Sequence, residues 1–119
     1  MNYLISGAGS GIGRAITVLL AGSGHTCFLL GRNENKLKET LALLPENKHQ
    51  IFLADLTDEI AIGNLLKNNE DLVLDGIIAN AGIGGENNFG KNDRWNDIII
   101  TNLTGTYLTV QYFLPALKT

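Results

Sequence analysis

The run Ser6-Gly7-Ala8-Gly9-Ser10-Gly11-Ile12-Gly13 has the residue types and spacing to receive a phosphate. A short apolar segment, Tyr3-Leu4-Ile5, precedes it, and a helical pattern follows. Strand, glycine loop and helix together aim backbone N–H groups and the positive end of a helix dipole at an anion. Glycine allows backbone angles closed to other residues and lets a pyrophosphate approach without meeting a Cβ. A dinucleotide site is therefore expected at the start of the chain. About 20 residues further on, where an acidic residue usually meets the ribose 2′-OH of NAD, stands Gly31-Arg32-Asn33. No carboxylate is there to repel a 2′-phosphate, and a guanidinium can take one in bidentate, charge-assisted bonds. Arg32 as a solvated turn residue is the plainer alternative.

The elements that must position these groups alternate strand and helix, the sign of a parallel sheet built from βαβ units. Ile12, Ala15, Ile16, Leu19 and Leu20 recur at helical spacing and are expected on one buried face. His25 to Leu30 reads as a second strand, entered through Gly22-Ser23-Gly24; Leu37, Leu41 and Leu44 stripe a short helix that Pro45 ends. Gln50 to Ala54 is the third strand, and Thr57 is expected to cap the next helix, with Asp58 and Glu59 in its first turn. Leu74 to Ala79 is the fourth strand, and after a polar loop, Gly82 to Lys91, a final helix is expected to about Leu117. Right-handed crossovers give an α/β, doubly wound, Rossmann-like parallel sheet in the order 3-2-1-4. The glycine loop, Arg32, Asp55 and Asn80 then fall together at the carboxyl ends of the strands. On the final helix, Trp95, Ile99, Asn102, Leu103, Thr106 and Val110 share a broad face, so the Asn102 amide needs partners.

Composition narrows the possibilities. The chain has 119 residues, 45% hydrophobic and 18% charged, enough for one core and one domain, residues 1–119. A net charge of −3 without a basic run argues against nucleic acid as a partner. Apolar runs are far shorter than the roughly 20 residues of a membrane span, and no leader pattern precedes the first strand. With the single cysteine, Cys27, a disulfide within the chain is excluded and a cytoplasmic location is expected. His25 and His49 begin two different strands, with no cysteine or carboxylate at ligand spacing, so no metal site is expected.

The glycine spacing discriminates among loop types. Ile12 stands where G-x-G-x-x-G needs its third glycine, and Ser10 breaks G-x-x-G-x-x-G; only G-x-x-x-G-x-G fits, through Gly7, Gly11 and Gly13. Here the chain resembles the short-chain dehydrogenase/reductase family, whose loop reads TGxxxGIG, with Ser6 in place of the usual Thr. The resemblance implies cofactor contacts from Gly7, Ser10, Gly11, Ile12 and Gly13. It also implies NADP-type recognition by Arg32 and Asn33, with NAD the other possibility. Asp55-Leu56-Thr57 matches the segment whose carboxylate meets the adenine amino group, although an Asp opening a turn is common. Asn80-Ala81-Gly82 matches the family's NNAG with Ala79 for its first Asn; in that family this Asn ties neighbouring strands and the backbone lines the ribose. Asn102-Leu103-Thr104-Gly105 resembles the N-x-x-G helix, where the Asn holds a water in the proton relay. That makes Asn102 a catalytic candidate, with a backbone-satisfied core Asn as the alternative.

The resemblance covers the first half of the family's fold. Catalysis there needs a Ser and a Tyr-x-x-x-Lys pair beyond the fifth strand. Here Tyr3, Tyr107 and Tyr112 have Gly7, Gln111 and Ala116 four residues later. The expectation is an incomplete, truncated domain of an NADP-dependent oxidoreductase acting on a carbonyl or secondary alcohol, which binds cofactor and does not catalyse. The alternative is a non-catalytic nucleotide-binding or regulatory protein complete at this length. A homo-oligomer is expected, through the helix at 92–117 or the open edge of the fourth strand.

Overall fold

The structure, a computed structural model, describes residues 1–56, 58–80, 103 and 106–118. Strand β1 (Asn2–Ser6) leads to helix α1 (Gly11–Gly22), then β2 (Thr26–Gly31), α2 (Glu34–Ala42), β3 (Gln50–Leu53), α3 (Glu59–Lys67) and β4 (Gly76–Ile78). Residues 106–113 are helical and run into a 3-10 turn at Leu114–Ala116. The strands form one parallel sheet in the order β3-β2-β1-β4, with Leu4 opposite Phe28 and Ile77. This is the expected order, and the strand limits differ from expectation by at most two residues.

Both faces of the sheet are apolar, as a parallel sheet covered by helices requires. Side chains alternate along a strand, so β1 and β2 divide their residues between two cores. Leu4, Phe28 and Leu30 pack with Phe52, Ile62, Leu74 and Phe113 on one face; Ile5, Cys27 and Leu29 pack with Ala8, Ala21 and Leu37 on the other. Phe52 links the first cluster, its ring 5.2 Å from Phe28 and 6.4 Å from Phe113.

Four expectations are corrected. Of the face expected to be apolar on the last helix, the described members Leu103, Thr106 and Val110 are exposed, and Thr109 and Phe113 are the buried residues instead. On α1 the buried residues are Gly13, Thr17 and Ala21, while Ile12 and Leu19 are each 71% exposed and Ala15 is exposed. Small residues let the helix backbone approach the sheet, so the contact face is rotated away from the large apolar stripe. The cap of α3 is Asp58, whose side chain accepts from Ala61 N, rather than Thr57, which lies outside the described residues. Finally, the last helix does not reach Leu117. Pro115 sits in the 3-10 turn, where its missing N–H costs least. Leu117 is extended and pairs in parallel with Leu74: Leu74 N donates to Ala116 O at 2.7 Å and Lys118 N to Leu74 O at 2.6 Å. The chain just before β4 is thus paired at Leu74. Among the described residues no helix is long and apolar enough to cross a membrane.

His49 ties the far end of the sheet. The Cys27 N–H donates to its Nδ1 at 3.1 Å, and Nε2 lies 2.8 Å from Pro45 O, so the hydrogen sits on Nε2. Replacing this buried ring leaves both backbone groups without partners. His49→Leu should cost about 1–3 kcal/mol, read as a lower urea midpoint with unchanged slope. An unchanged midpoint would show that the imidazole holds nothing together.

Candidate functional site

The loops that follow β1, β2, β3 and β4 meet at one edge of the sheet because all four strands are parallel. The sheet reverses its order between β1 and β4, which in doubly wound folds opens a crevice at the carboxyl ends. The loop after β1 continues the ladder for one bond, Gly7 N to Leu30 O at 3.0 Å. It then turns through Gly7 (φ 68°) and Gly11 (φ 54°), left-handed angles that favour glycine.

Gly13 is where helix and loop touch backbone to backbone. A Cβ there would collide with the Gly7 carbonyl oxygen and stand 2.7 Å from Asn80 Nδ2. The Asn80 amide thus reaches the first turn of α1, and its backbone N donates to Ser6 Oγ at 2.9 Å. Ser6 Oγ in turn lies 3.4 Å from Ile78 O. The hydroxyl retained at Ser6 thereby ties the ends of β1 and β4 together. The sequence marked that hydroxyl without indicating its partner.

Helix α1 begins unlike α2 and α3. Asn33 caps α2 by accepting from Lys36 N, Asp58 caps α3, and each has a glutamate in its first turn. In α1 the Ser10 side chain makes no capping bond, and the first turn holds no acidic residue. The amides of Gly11, Ile12 and Gly13 have no carbonyl of the helix to reach. The loop carbonyls, by contrast, are taken. Thr40 Oγ1 donates to Ala8 O at 2.9 Å, and Arg14 Nη2 to Gly9 O at 2.5 Å. Arg14 Nε also donates to Thr40 Oγ1 at 2.9 Å, and Nη2 pairs with Glu39 at 3.1 Å. Arg14 and Thr40 escaped the sequence reading because they are far apart in the chain and no local motif joins them.

Arg32 is exposed beyond β2, and the three ion pairs of the described residues use Arg14, Lys38 and Lys48 instead. Beside it, Asn33 has its Oδ1 engaged as the α2 cap at 3.1 Å, which leaves its NH2 group for any other partner. Asp55 is exposed after β3, its carbonyl accepting from Asp58 N. Leu56 packs in the core, so only its backbone could meet a ligand. Ile12 and Ser10 are exposed at the mouth of the loop. Ala81, Gly82 and Asn102 lie outside the described residues.

Burial first, then the negative charge of Glu59 and the neighbouring Tyr107, raise the Tyr112 phenol, the opposite of what proton transfer near neutral pH needs. Burial likewise pushes the Cys27 thiol up, with Lys48 opposing it.

Comparison with known proteins agrees. The family model for short chain dehydrogenases matches residues 2–119. An uncharacterized oxidoreductase of Staphylococcus aureus (strain MW2) is 33% identical over 118 residues, covering 96% of this chain and 51% of that protein. The structure of a putative short chain dehydrogenase from Escherichia coli CFT073, complexed with NADPH, superposes with a TM-score of 0.81 at 31% identity, over 97% of this chain and 52% of the other. A short chain dehydrogenase from Mycobacterium paratuberculosis bound to NAD shares the fold, with a TM-score of 0.80 at 24% identity over 97% of this chain and 49% of that one. The chain spans about half the length of the relatives it matches. By sequence and by architecture, the chain belongs to the short-chain dehydrogenase family.

Proposed function

We propose that residues 1–119 form the NAD(P)-binding unit of an oxidoreductase that uses NADP(H) and acts on a carbonyl or secondary alcohol. The observation that carries this is the pairing of an uncapped helix N-terminus with a glycine loop whose carbonyls are already engaged. Gly11, Ile12 and Gly13 would give their amides to the pyrophosphate. At Gly13 the absence of a side chain lets α1 start against the Gly7 carbonyl, which would set the first-turn amides at the depth of the loop. Arg32 would take the 2′-phosphate, Asp55 the adenine amino group, and Asn80 with Ala81 and Gly82 the ribose beside it. The bound nicotinamide supplies or accepts the hydride. Asn102 is the one residue of the family's proton relay proposed here. None of the tyrosines has the lysine that would lower its pKa, so these residues hold cofactor without completing the reaction.

Preference for NADP(H) rests on Arg32. Loss of a charge-assisted bond to the 2′-phosphate should weaken NADPH binding by roughly 10- to 150-fold in Arg32→Ala, or about 1.5–3 kcal/mol, and leave NADH binding unchanged. Calorimetric titration of both cofactors reads this directly; equal affinities in the wild type would remove the preference. The chain as given should also show only background oxidation of NADPH with a panel of ketones. Turnover abolished by Asn102→Ala would contradict the non-catalytic part of the reading.

A second copy of the chain is the proposed partner. Leu103, Tyr107, Val110 and Leu114 are all exposed and recur at spacings of four, three and four, a stripe along one side of the last helical segment. Leu117 already pairs with Leu74 just before β4, which favours the helix over strand pairing as the interface. Light scattering at micromolar concentration should give a dimer that Val110→Glu converts to monomer. A wild-type monomer would count against it.

A further inference from the structure

We infer that Arg14 and Thr40 are positioning residues for the pyrophosphate, acting through the peptide planes of the glycine loop. The inference rests on the dinucleotide reading above and adds to it the groups that orient the loop. In a trans peptide the carbonyl of one residue and the N–H of the next point in opposite directions. Holding the Ala8 carbonyl against Thr40 therefore turns the Gly9 N–H away from α2, and holding the Gly9 carbonyl against Arg14 does the same for the Ser10 N–H. The two bonds convert a flexible loop into a row of donors facing one way, continuous with the amides of the first turn of α1.

Thr40 is fully buried, although it lies on a largely polar helix. Its hydroxyl has one hydrogen, and Ala8 O at 2.9 Å is the nearer of two acceptors, Lys36 O being at 3.3 Å. The oxygen meanwhile accepts from Arg14 Nε at 2.9 Å. Arg14 is thus fixed by its fork: Nε on Thr40, and Nη2 shared among Gly9 O, Lys36 O at 3.3 Å and Glu39. Lysine has no such planar fork and cannot make these contacts together. Because both anchors lead to α2, whose cap Asn33 adjoins Arg32, the clamp also fixes the pyrophosphate loop relative to the 2′-phosphate side of the site.

The test is calorimetric titration of wild type, Thr40→Val, Thr40→Ser and Arg14→Lys with NADPH and NADH, after circular dichroism shows each variant folded at the working temperature. Thr40→Val keeps the volume and loses the hydroxyl. It should weaken both cofactors by the same factor, about tenfold, because both carry the pyrophosphate. Thr40→Ser should bind as wild type. Arg14→Lys keeps the charge and loses the fork, and should weaken both cofactors about fivefold. Thr40→Val binding as wild type, Thr40→Ser as weak as Thr40→Val, or Arg14→Lys indistinguishable from wild type would each overturn the clamp while leaving the dinucleotide reading intact. A wild type that binds neither cofactor overturns the dinucleotide reading and the clamp with it.

Discussion

At Gly13 the backbone of α1 rests on the carbonyl of Gly7, with the Asn80 amide beside it and no room for a side-chain carbon. The rest of the binding edge depends on that contact. It sets the depth at which the helix starts, so small residues one and two turns on, Thr17 and Ala21, meet the sheet. Thr17 even returns its hydroxyl to Gly13 O at 2.7 Å, securing the first turn from inside. It also brings the ends of β1 and β4 together, where Ser6 and Asn80 join them.

The two ends of the sheet are treated in opposite ways. At the amino end, polar groups are consumed: Asn2 N donates to Asp75 at 2.7 Å, the Asn2 side chain to Val73 O at 2.9 Å, and the His49 ring takes one backbone group on each nitrogen. At the carboxyl end, two side chains of the helices, Thr40 and Arg14, bond the loop carbonyls of Ala8 and Gly9. A buried peptide must satisfy both its groups, so a loop that presents N–H groups to a ligand has to place its C=O groups against its own protein. Arg14 and Thr40 meet that requirement here.

The alternation of strand and helix, the strand order and the glycine loop were legible because each leaves a local periodic or compositional trace. The face of α1 was not. Size suggested Ile12 and Leu19, whereas close packing on a sheet selects Gly13, Thr17 and Ala21, and hydrophobic periodicity does not register a small-residue face. The end of the last helix was misplaced because a helical run of apolar residues outweighed Pro115. The clamp on the loop left no trace either: Arg14 reads as an ordinary helix residue, and Thr40 as a polar residue on a charged helix. Their connection exists only after α2 has folded back beside the loop.

In the proposed binding mode the dinucleotide lies across the carboxyl edge, on the first turn of α1. Amide chemical-shift mapping of the 15N-labelled chain during titration with NADPH tests it most directly. The largest changes should fall on Gly9 to Gly13, with a second group at Arg32 and Asn33, and little change at Asn2, His49 or Asp75. Shifts concentrated at that opposite end of the sheet, or none at saturating cofactor, would contradict it.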